Sequence, residues 1–153
     1  MNVARVTEPD LAELLPLVRG YCDFYEAEPP DDDLLELSRA LLADPDREGV
    51  QLLARDSRSN TVGFATVYWS WDTLAAVRVG IMYDLYVAPA ARGTGVADGL
   101  IEACVEECRQ HGAVSLVWQT AKDNARAQRV YERVGAKRSE WVDYSLPVTR
   151  DSS

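Results

Sequence analysis

The stretch from Asp84 to Ala97 constrains the fold most, because it passes from a β-rich run to a helical pattern across a turn with two glycines, Gly93 and Gly95. Glycine permits positive φ and lets a ligand approach the backbone closely. The unpaired amides and positive dipole end of a helix N-terminus favour a phosphate group. Arg92 adds a planar cation at the same point. The stretch therefore predicts a phosphate-binding turn between a strand and a helix.

Two common phosphate-binding motifs do not fit this turn. A P-loop requires Gly-Lys followed by Ser or Thr, and Thr94-Gly95-Val96 contains no lysine. A dinucleotide motif requires a third glycine in G-x-G-x-x-G, where this chain has Asp98. The residues from Arg92 to Ala97 instead match the pattern R-x-x-G-x-A.

A second pattern, N-x-x-A-x-x-x-Y-x-x-x-G, follows a short apolar strand. It is formed by Asn124, Ala127, Tyr131 and Gly135. Positions i, i+3 and i+7 share one face of a helix, so the first three side chains are expected to point the same way. A tyrosine packed on the core-facing side of a helix is the alternative interpretation of Tyr131.

In this order and separation, the two patterns resemble the GNAT superfamily of N-acetyltransferases, and most closely its small bacterial members that act on free amines or amino-acid-like substrates. The resemblance implies an α/β fold, with a mixed, mostly antiparallel sheet and helices on both faces. It also implies a V-shaped split between the fourth and fifth strands, here Tyr83–Val87 and Val114–Gln119. We expect a single domain over residues 1–150, with a frayed tail at 151–153.

The resemblance also implies acetyl-CoA as co-substrate. The turn would hold the pyrophosphate, the fourth strand and Asn124 would hold the pantetheine arm, and the Leu85 amide would bind the thioester carbonyl oxygen. Tyr131 would protonate the departing sulfur. The expected cofactor-binding residues are Leu85, Tyr86, Val87, Arg92, Gly93, Thr94, Gly95, Val96, Ala97, Asn124, Ala127 and Tyr131.

A general base must accept a proton from the substrate ammonium group. Asp84 is the first candidate, because it immediately precedes Leu85 on the fourth strand. A purely structural Asp84 is the alternative, since strand alternation can turn its side chain away from the cleft. Glu26 and Glu28 are the second choices for the base.

The charge distribution suggests the acceptor. Residues 23–48 contain ten acids and two bases, whereas residues 122–138 contain six bases and two acids. Aromatic side chains accompany the acidic stretch, and acids with aromatic faces suit a cationic amine. The expected substrate-binding residues are Tyr21, Tyr25, Glu26 and Trp69. The alternative is that these aromatic residues form core or dimer contacts.

Bulk composition excludes several other functions. The net charge of −9 argues against a nucleic-acid partner. We find no apolar run of about 20 residues and no leader pattern, so we expect no membrane association and a cytoplasmic protein. Cys104, Cys108 and His111 have a spacing that metal sites can show, but the cysteines continue an apolar stripe, and we expect no metal. A homodimer is expected by analogy with the family.

Periodicity predicts a strand at 2–6, a helix from Thr7, and ten elements in the order β-α-α-β-β-β-α-β-α-β. The other predicted elements are a helix at 32–42, strands at 51–55, 61–69 and 81–87, a helix at 95–111, a strand at 114–119, a helix at 124–134 and a strand at 139–146.

The predicted function is transfer of an acetyl group from acetyl-CoA to a primary amine of a small cationic substrate, such as a polyamine, an amino sugar or an amino-acid-like amine, by direct attack in a ternary complex. Several alternatives stay open: a binding module that senses acetyl-CoA without turnover, an enzyme that uses a longer acyl group or a hydroxyl acceptor, a protein-lysine acetyltransferase, or a partner protein unrelated to coenzyme A.

Overall fold

A computed structural model describes residues 1–148 of the chain, so the predicted tail at 151–153 lies outside the described residues. The chain forms two compact units, Met1–Ala121 and the unit that begins at Lys122. A single domain over 1–150 stays a prediction. Within the described part, no helix has both the length and the apolar character that crossing a membrane requires.

The N-terminal unit is built on one five-stranded sheet in which the strands lie in chain order. β1 to β4 pair antiparallel, and β5 adds to β4 in parallel. The predicted mixed, mostly antiparallel sheet is therefore confirmed. The strands are β1 (Asn2–Arg5), β2 (Gly49–Arg55), β3 (Thr61–Asp72), β4 (Val77–Val87) and β5 (Leu116–Val117). The helices are α1 (Leu11–Phe24), α2 (Asp31–Ala43), α3 (Val96–His111) and, in the C-terminal unit, α4 (Ala125–Arg133).

Helices cover both faces of the sheet, as predicted. Phe64 on β3 is fully buried in a core with Leu11, Leu14 and Leu17 of α1. The preceding residue, Gly63, faces the other way: a Cβ there would lie 3.1 Å from side-chain atoms of Val96 and Leu100 on α3. Because side chains alternate along a strand, α1 and α3 lie on opposite faces. α2 packs on the α1 face, where Leu35 and Leu42 contact the same core.

β4 contains an irregularity that changes the direction of every later residue. Thr66 pairs with Asp84, but the next β3 residue, Val67, pairs with Met82, so Tyr83 is an extra residue on β4. Such a bulge shifts the alternation of a strand by one position. Before the bulge, Gly80 faces α3, since a Cβ there would lie 2.7 Å from Cys108 Sγ. After the bulge, the even-numbered residues of β4 face α1 instead.

β5 is shorter than predicted. It covers two residues, and it pairs with β4 only at Gly80 and Ile81. Parallel pairing depends on a partner strand that is distant in sequence. The apolar run at 114–119 does not reveal how many of its residues pair with that strand. In the described part of the chain, no strand pairs with Met82–Val87 along this edge. The two strands thus stop pairing at the position where the predicted split begins.

Three other element predictions need correction. The first helix begins at Leu11 after a 3-10 turn at Glu8–Asp10, because Asp10 binds back to the Thr7 amide and closes a separate turn. β4 begins four residues earlier than predicted, at Val77. The predicted strand at 139–146 is absent from the described residues, where this segment has no regular structure. Its alternating pattern specifies a strand only when a neighbouring strand supplies hydrogen bonds.

Candidate active site

The open edge of β4 presents backbone amides after the bulge. The Ala88 amide donates to the Val62 carbonyl oxygen at 2.8 Å, so it points toward β3. Antiparallel pairs alternate, and Tyr86 and Asp84 therefore share this direction, while the amides of Leu85 and Val87 point toward the edge that β5 has left. Before the bulge, the amides of even-numbered residues point toward β5 instead, since the Gly80 amide donates to the Ser115 carbonyl oxygen at 2.9 Å.

The turn after β4 has the backbone that a phosphate-binding loop requires. Gly93 and Gly95 have φ values of +78° and +88°, and a Cβ at either position would meet no atom within 4 Å. Gly95 is the N-cap of α3 and has no side chain to cover the first-turn amides. Val96 and Ala97 begin the helix directly after it, and the Val96 side chain is buried. The loop surface over the helix N-terminus is therefore open.

Arg92 is folded back onto β4. Its Nε donates to the Val87 carbonyl oxygen at 3.2 Å, and its Cζ lies 6.0 Å from the centre of the Tyr86 ring. The Thr94 hydroxyl donates to the Ala91 carbonyl oxygen and fixes the turn from inside. The Arg92 contact therefore folds the predicted loop against the end of β4, next to the amides on its open edge.

In the C-terminal unit, the predicted helix is present, and Asn124 begins it. The Asn124 side-chain oxygen accepts a hydrogen bond from the Ala127 amide at 3.2 Å, as a helix N-cap does. The helix ends near Gly135, which has a φ of +89°. Asn124, Ala127 and Tyr131 are all partly buried, whereas Arg126 is exposed, as a shared face predicts. Their roles toward a coenzyme stay predictions.

Asp84 lies in a row of polar residues that crosses three strands. Gln51 on β2 is directly opposite Thr66 on β3, and Thr66 is directly opposite Asp84 on β4. The Gln51 Nε2 group donates to the Thr66 hydroxyl oxygen at 3.2 Å. Thr66 is completely buried, and Asp84 is partly buried on the face that α1 covers.

Two hydroxyl groups approach the Asp84 carboxylate. Burial raises the pKa of the Asp84 carboxyl above its ordinary value, and hydrogen bonding with the Thr66 and Tyr21 side chains acts in the opposite direction. The Tyr21 hydroxyl also lies 3.4 Å from the Tyr83 carbonyl oxygen, which is a second acceptor for its one hydrogen. A carboxylate in this setting can accept a proton more readily near neutral pH than an exposed aspartate can.

Two tyrosines that interact with this carboxylate, Tyr21 and Tyr68, form a tyrosine cluster with their ring partners Tyr25 and Tyr83. Burial and the nearby charge of Asp84 raise the pKa of Tyr68 to about 12, and the same two causes raise the pKa of Tyr21 further. Both phenols are therefore neutral donors at pH 7. The Tyr21 and Tyr25 ring centres lie 5.1 Å apart, and those of Tyr68 and Tyr83 lie 5.4 Å apart. Aromatic faces around a carboxylate can attract an ammonium group.

The predicted substrate residues divide into two groups. Tyr21 and Tyr25 belong to the tyrosine cluster, and Glu26 follows at the end of α1 with an exposed side chain and a φ of +55°. Trp69 does not join them. Its indole N–H donates to the Pro45 carbonyl oxygen at 2.9 Å, and its ring stacks on His111 at 3.9 Å, with 8% of the residue exposed. Trp69 is a core residue, because its position on β3 faces α3.

The sequence interpretation missed Thr66, Gln51, Tyr68 and Tyr83. Strand alternation could have identified Tyr68: it is two residues from Thr66 and therefore lies on the same face of β3, whereas Trp69 lies on the opposite face. Thr66 and Gln51 carry no local signal, since their role depends on the register of three strands.

The cysteines predicted as apolar residues pack that way. Cys104 and Cys108 are buried on α3, and burial raises the pKa of Cys104 to about 12 and that of Cys108 to about 11. His111 is engaged with Trp69. Over residues 1–148, no group of three metal-binding side chains comes together.

Comparisons with known proteins agree with this geometry. The model of the acetyltransferase (GNAT) family matches residues 14–136. The chain is 29% identical over 149 residues to the uncharacterized N-acetyltransferase YhfO of Bacillus subtilis (strain 168), covering 97% of this chain and 98% of that protein. It is 31% identical over 117 residues to an aminoglycoside N(6')-acetyltransferase type 1 of Stenotrophomonas maltophilia, covering 74% of each.

A solved structure gives the same result. The crystal structure of a probable acetyltransferase superposes with a TM-score of 0.85 at 31% identity, covering 99% of this chain and 100% of that one. A strand with an exposed amide edge, a glycine turn onto a helix, and a family match that spans both lead to one conclusion. The chain belongs to the acetyltransferase (GNAT) family and is an acetyltransferase enzyme.

Proposed function

We propose that this enzyme transfers an acetyl group from acetyl-CoA to a primary amine of a small cationic substrate, by direct attack in a ternary complex. The observation that carries the proposal is the position of Asp84. It is a partly buried carboxylate among tyrosines, and it directly precedes the Leu85 amide on the open edge of β4. A proton acceptor and an oxyanion donor thus come from adjacent residues.

The residues that would hold the coenzyme fit its chemistry. The Leu85 and Val87 amides on the open edge suit the amide groups of a pantetheine arm, and the intervening Tyr86 packs into the core. The open turn at 92–97, with two glycines at positive φ, suits a pyrophosphate. When bound, acetyl-CoA supplies the acetyl group as an activated thioester.

The chain's own groups would then act on the reacting atoms. The Asp84 carboxylate would take a proton from the substrate ammonium group and leave a neutral amine. The Leu85 amide would donate to the carbonyl oxygen as negative charge grows on it, a contribution of about 3–4 kcal/mol for one such donor. Tyr21 and Tyr25, with Glu26 nearby, would hold the cationic substrate.

The role of Tyr131 rests on the family resemblance alone. We propose that its hydroxyl gives a proton to the departing sulfur. The transfer would be nearly balanced, because phenols and thiols have reference pKa values of about 10 and about 8.5. Tyr131→Phe should lower kcat by roughly 100-fold with little change in coenzyme A affinity. Unchanged turnover would remove this role.

The acceptor class is supported by charge and by a relative. Residues 23–48 carry ten acids and two bases, and the aminoglycoside acetyltransferase named above acts, by its name, on an amine-bearing small molecule. We therefore test polyamines, aminoglycosides and other amino sugars, and amino-acid amines, with a lysine peptide as the contrasting acceptor.

The experiment measures free thiol release and acetylated product by mass spectrometry for each amine. We expect turnover with at least one small polyamine or amino sugar, a lower kcat/KM for Asp84→Asn, and unchanged coenzyme A binding by that variant. Binding of coenzyme A without any acetylated product would replace the enzyme proposal with the sensing function. Turnover of the lysine peptide alone would refute the small-molecule class.

A further inference from the structure

Thr66 lies between the other two polar residues of the row across the sheet. It lies in register with Gln51 on one side and Asp84 on the other. Its hydroxyl oxygen accepts from Gln51 Nε2 at 3.2 Å. A hydroxyl group has one hydrogen to donate. Because the Thr66 oxygen accepts from Gln51, the Thr66 hydrogen stays available for the Asp84 carboxylate.

Gln51 supports the same interpretation. It is buried, with 6% of the residue exposed, and its Oε1 atom is a buried oxygen without a hydrogen-bond partner among the described residues. Burying an amide oxygen without a partner destabilises a fold, and an apolar residue would avoid that cost. The interaction with Thr66 is therefore the contact that gives this glutamine a purpose.

Within residues 1–148, burial and the hydroxyl groups of Thr66 and Tyr21 set the pKa of Asp84, and no positive charge is among these causes. The groups that face it are Tyr21 and Cys22 on α1, and Thr66 and Tyr68 on β3. All four are neutral at pH 7. Donation from the hydroxyl groups is therefore what stabilises the ionised carboxylate against burial.

We infer that Thr66, oriented by Gln51, is a positioning residue that holds the Asp84 carboxylate ionised and aligned for proton transfer. The inference rests on the proposed role of Asp84 as the proton acceptor. The bulge makes the arrangement possible, because Tyr83 shifts the alternation so that Asp84 faces the α1 side together with Thr66. Thr66 itself is completely buried, and it acts through Asp84.

The test compares Thr66→Val with Thr66→Ser, with Thr61→Val near the start of the same strand as the matched control. Two readouts are used on the full chain: the pH dependence of kcat/KM with the best amine found, and the titration of the Asp84 carboxyl carbon by NMR. Thr66→Val removes a donor that favours the charged form, so the pKa of Asp84 rises. We expect both midpoints to move up by about one pH unit.

Thr66→Ser should restore both midpoints to within about 0.3 pH units, because it keeps the hydroxyl group, and Thr61→Val should leave them unchanged. An unchanged midpoint in Thr66→Val, or an equal shift in Thr66→Ser, would overturn the inference. If Thr66→Val does not fold, Gln51→Leu replaces it and should raise the midpoint by a smaller amount; no shift would also count against the inference.

The two proposals can fail separately. If Asp84→Asn keeps wild-type activity, the catalytic role of Asp84 fails, yet the NMR titration still decides whether Thr66 sets its ionisation. If Asp84→Asn is inactive while Thr66→Val titrates like the wild type, only the positioning role is lost.

Discussion

The two ends of α3 provide a matched pair of glycines that separates stability from coenzyme binding. Gly95 begins the helix with a φ of +88°, and Gly112 ends it with a φ of +81°. A Cβ at either position would meet no atom within 4 Å. Replacement by alanine therefore introduces backbone strain and no steric contact at both positions.

The expected loss of stability is the same for both substitutions, because only backbone strain contributes to it. An L-residue in the left-handed region costs about 1–2 kcal/mol, and the lost flexibility of the unfolded chain returns about 0.4–1 kcal/mol. Gly95→Ala and Gly112→Ala should each destabilise the enzyme by about 1 kcal/mol, which lowers Tm by roughly 2–4 °C at this chain length.

Coenzyme binding should distinguish the two variants. A methyl group at residue 95 lies on the open surface of the turn, where the proposed pyrophosphate must approach the amides. Loss of one hydrogen bond to a charged group weakens binding by about 1.5–3 kcal/mol, or roughly 10- to 100-fold. Isothermal titration with coenzyme A should show this loss for Gly95→Ala and wild-type affinity for Gly112→Ala. Equal affinities in the two variants would refute the assignment of the pyrophosphate to this turn.

Two further predictions concern the core and the carboxylate. Gly63→Ala should destabilise the fold by about 1–3 kcal/mol in chemical denaturation, because its Cβ would lie 2.7 Å from the Tyr86 backbone oxygen. Gly20→Ala should destabilise it less, since the nearest atom there is the hydroxyl oxygen at the end of the Tyr86 side chain. A larger loss of stability in Gly20→Ala than in Gly63→Ala would contradict this packing. Because the pKa of Asp84 is raised in the folded state, the stability it contributes is present at low pH and is lost as pH rises through the folded pKa. Asp84→Asn should therefore gain stability relative to the wild type as pH rises from 4 to 8 in chemical denaturation. A constant difference across this range would exclude ionisation as its cause.

The parts of the fold that the sequence predicted depend on local rules. Gly93 and Gly95 mark a turn that only glycine adopts easily, and the helical face of Asn124, Ala127 and Tyr131 follows from spacing alone. The order of the first nine elements also follows from periodicity and from glycine and proline positions.

The parts that the sequence did not predict depend on contacts between distant segments. The bulge at Tyr83 arises from the register of β3 against β4, and nothing near residue 83 reveals it. The same register decides that Tyr68 faces Asp84 while Trp69 enters the α3 side of the core. The strand predicted at 139–146 was inferred from alternation without a known partner.

The extra residue at Tyr83 also sets how this enzyme can tolerate change in length. Deleting it would remove the bulge and join Met82 to Asp84, so that regular alternation would keep Asp84 opposite Thr66 on the α1 side. Deleting Leu85 would instead turn Tyr86 from the α1 side to the α3 side. An insertion or deletion in the turn at residues 73–76 leaves the later phase intact. We therefore expect related sequences to vary in length at the hairpin and, by the one extra residue, at the bulge, and almost never between residues 84 and 87.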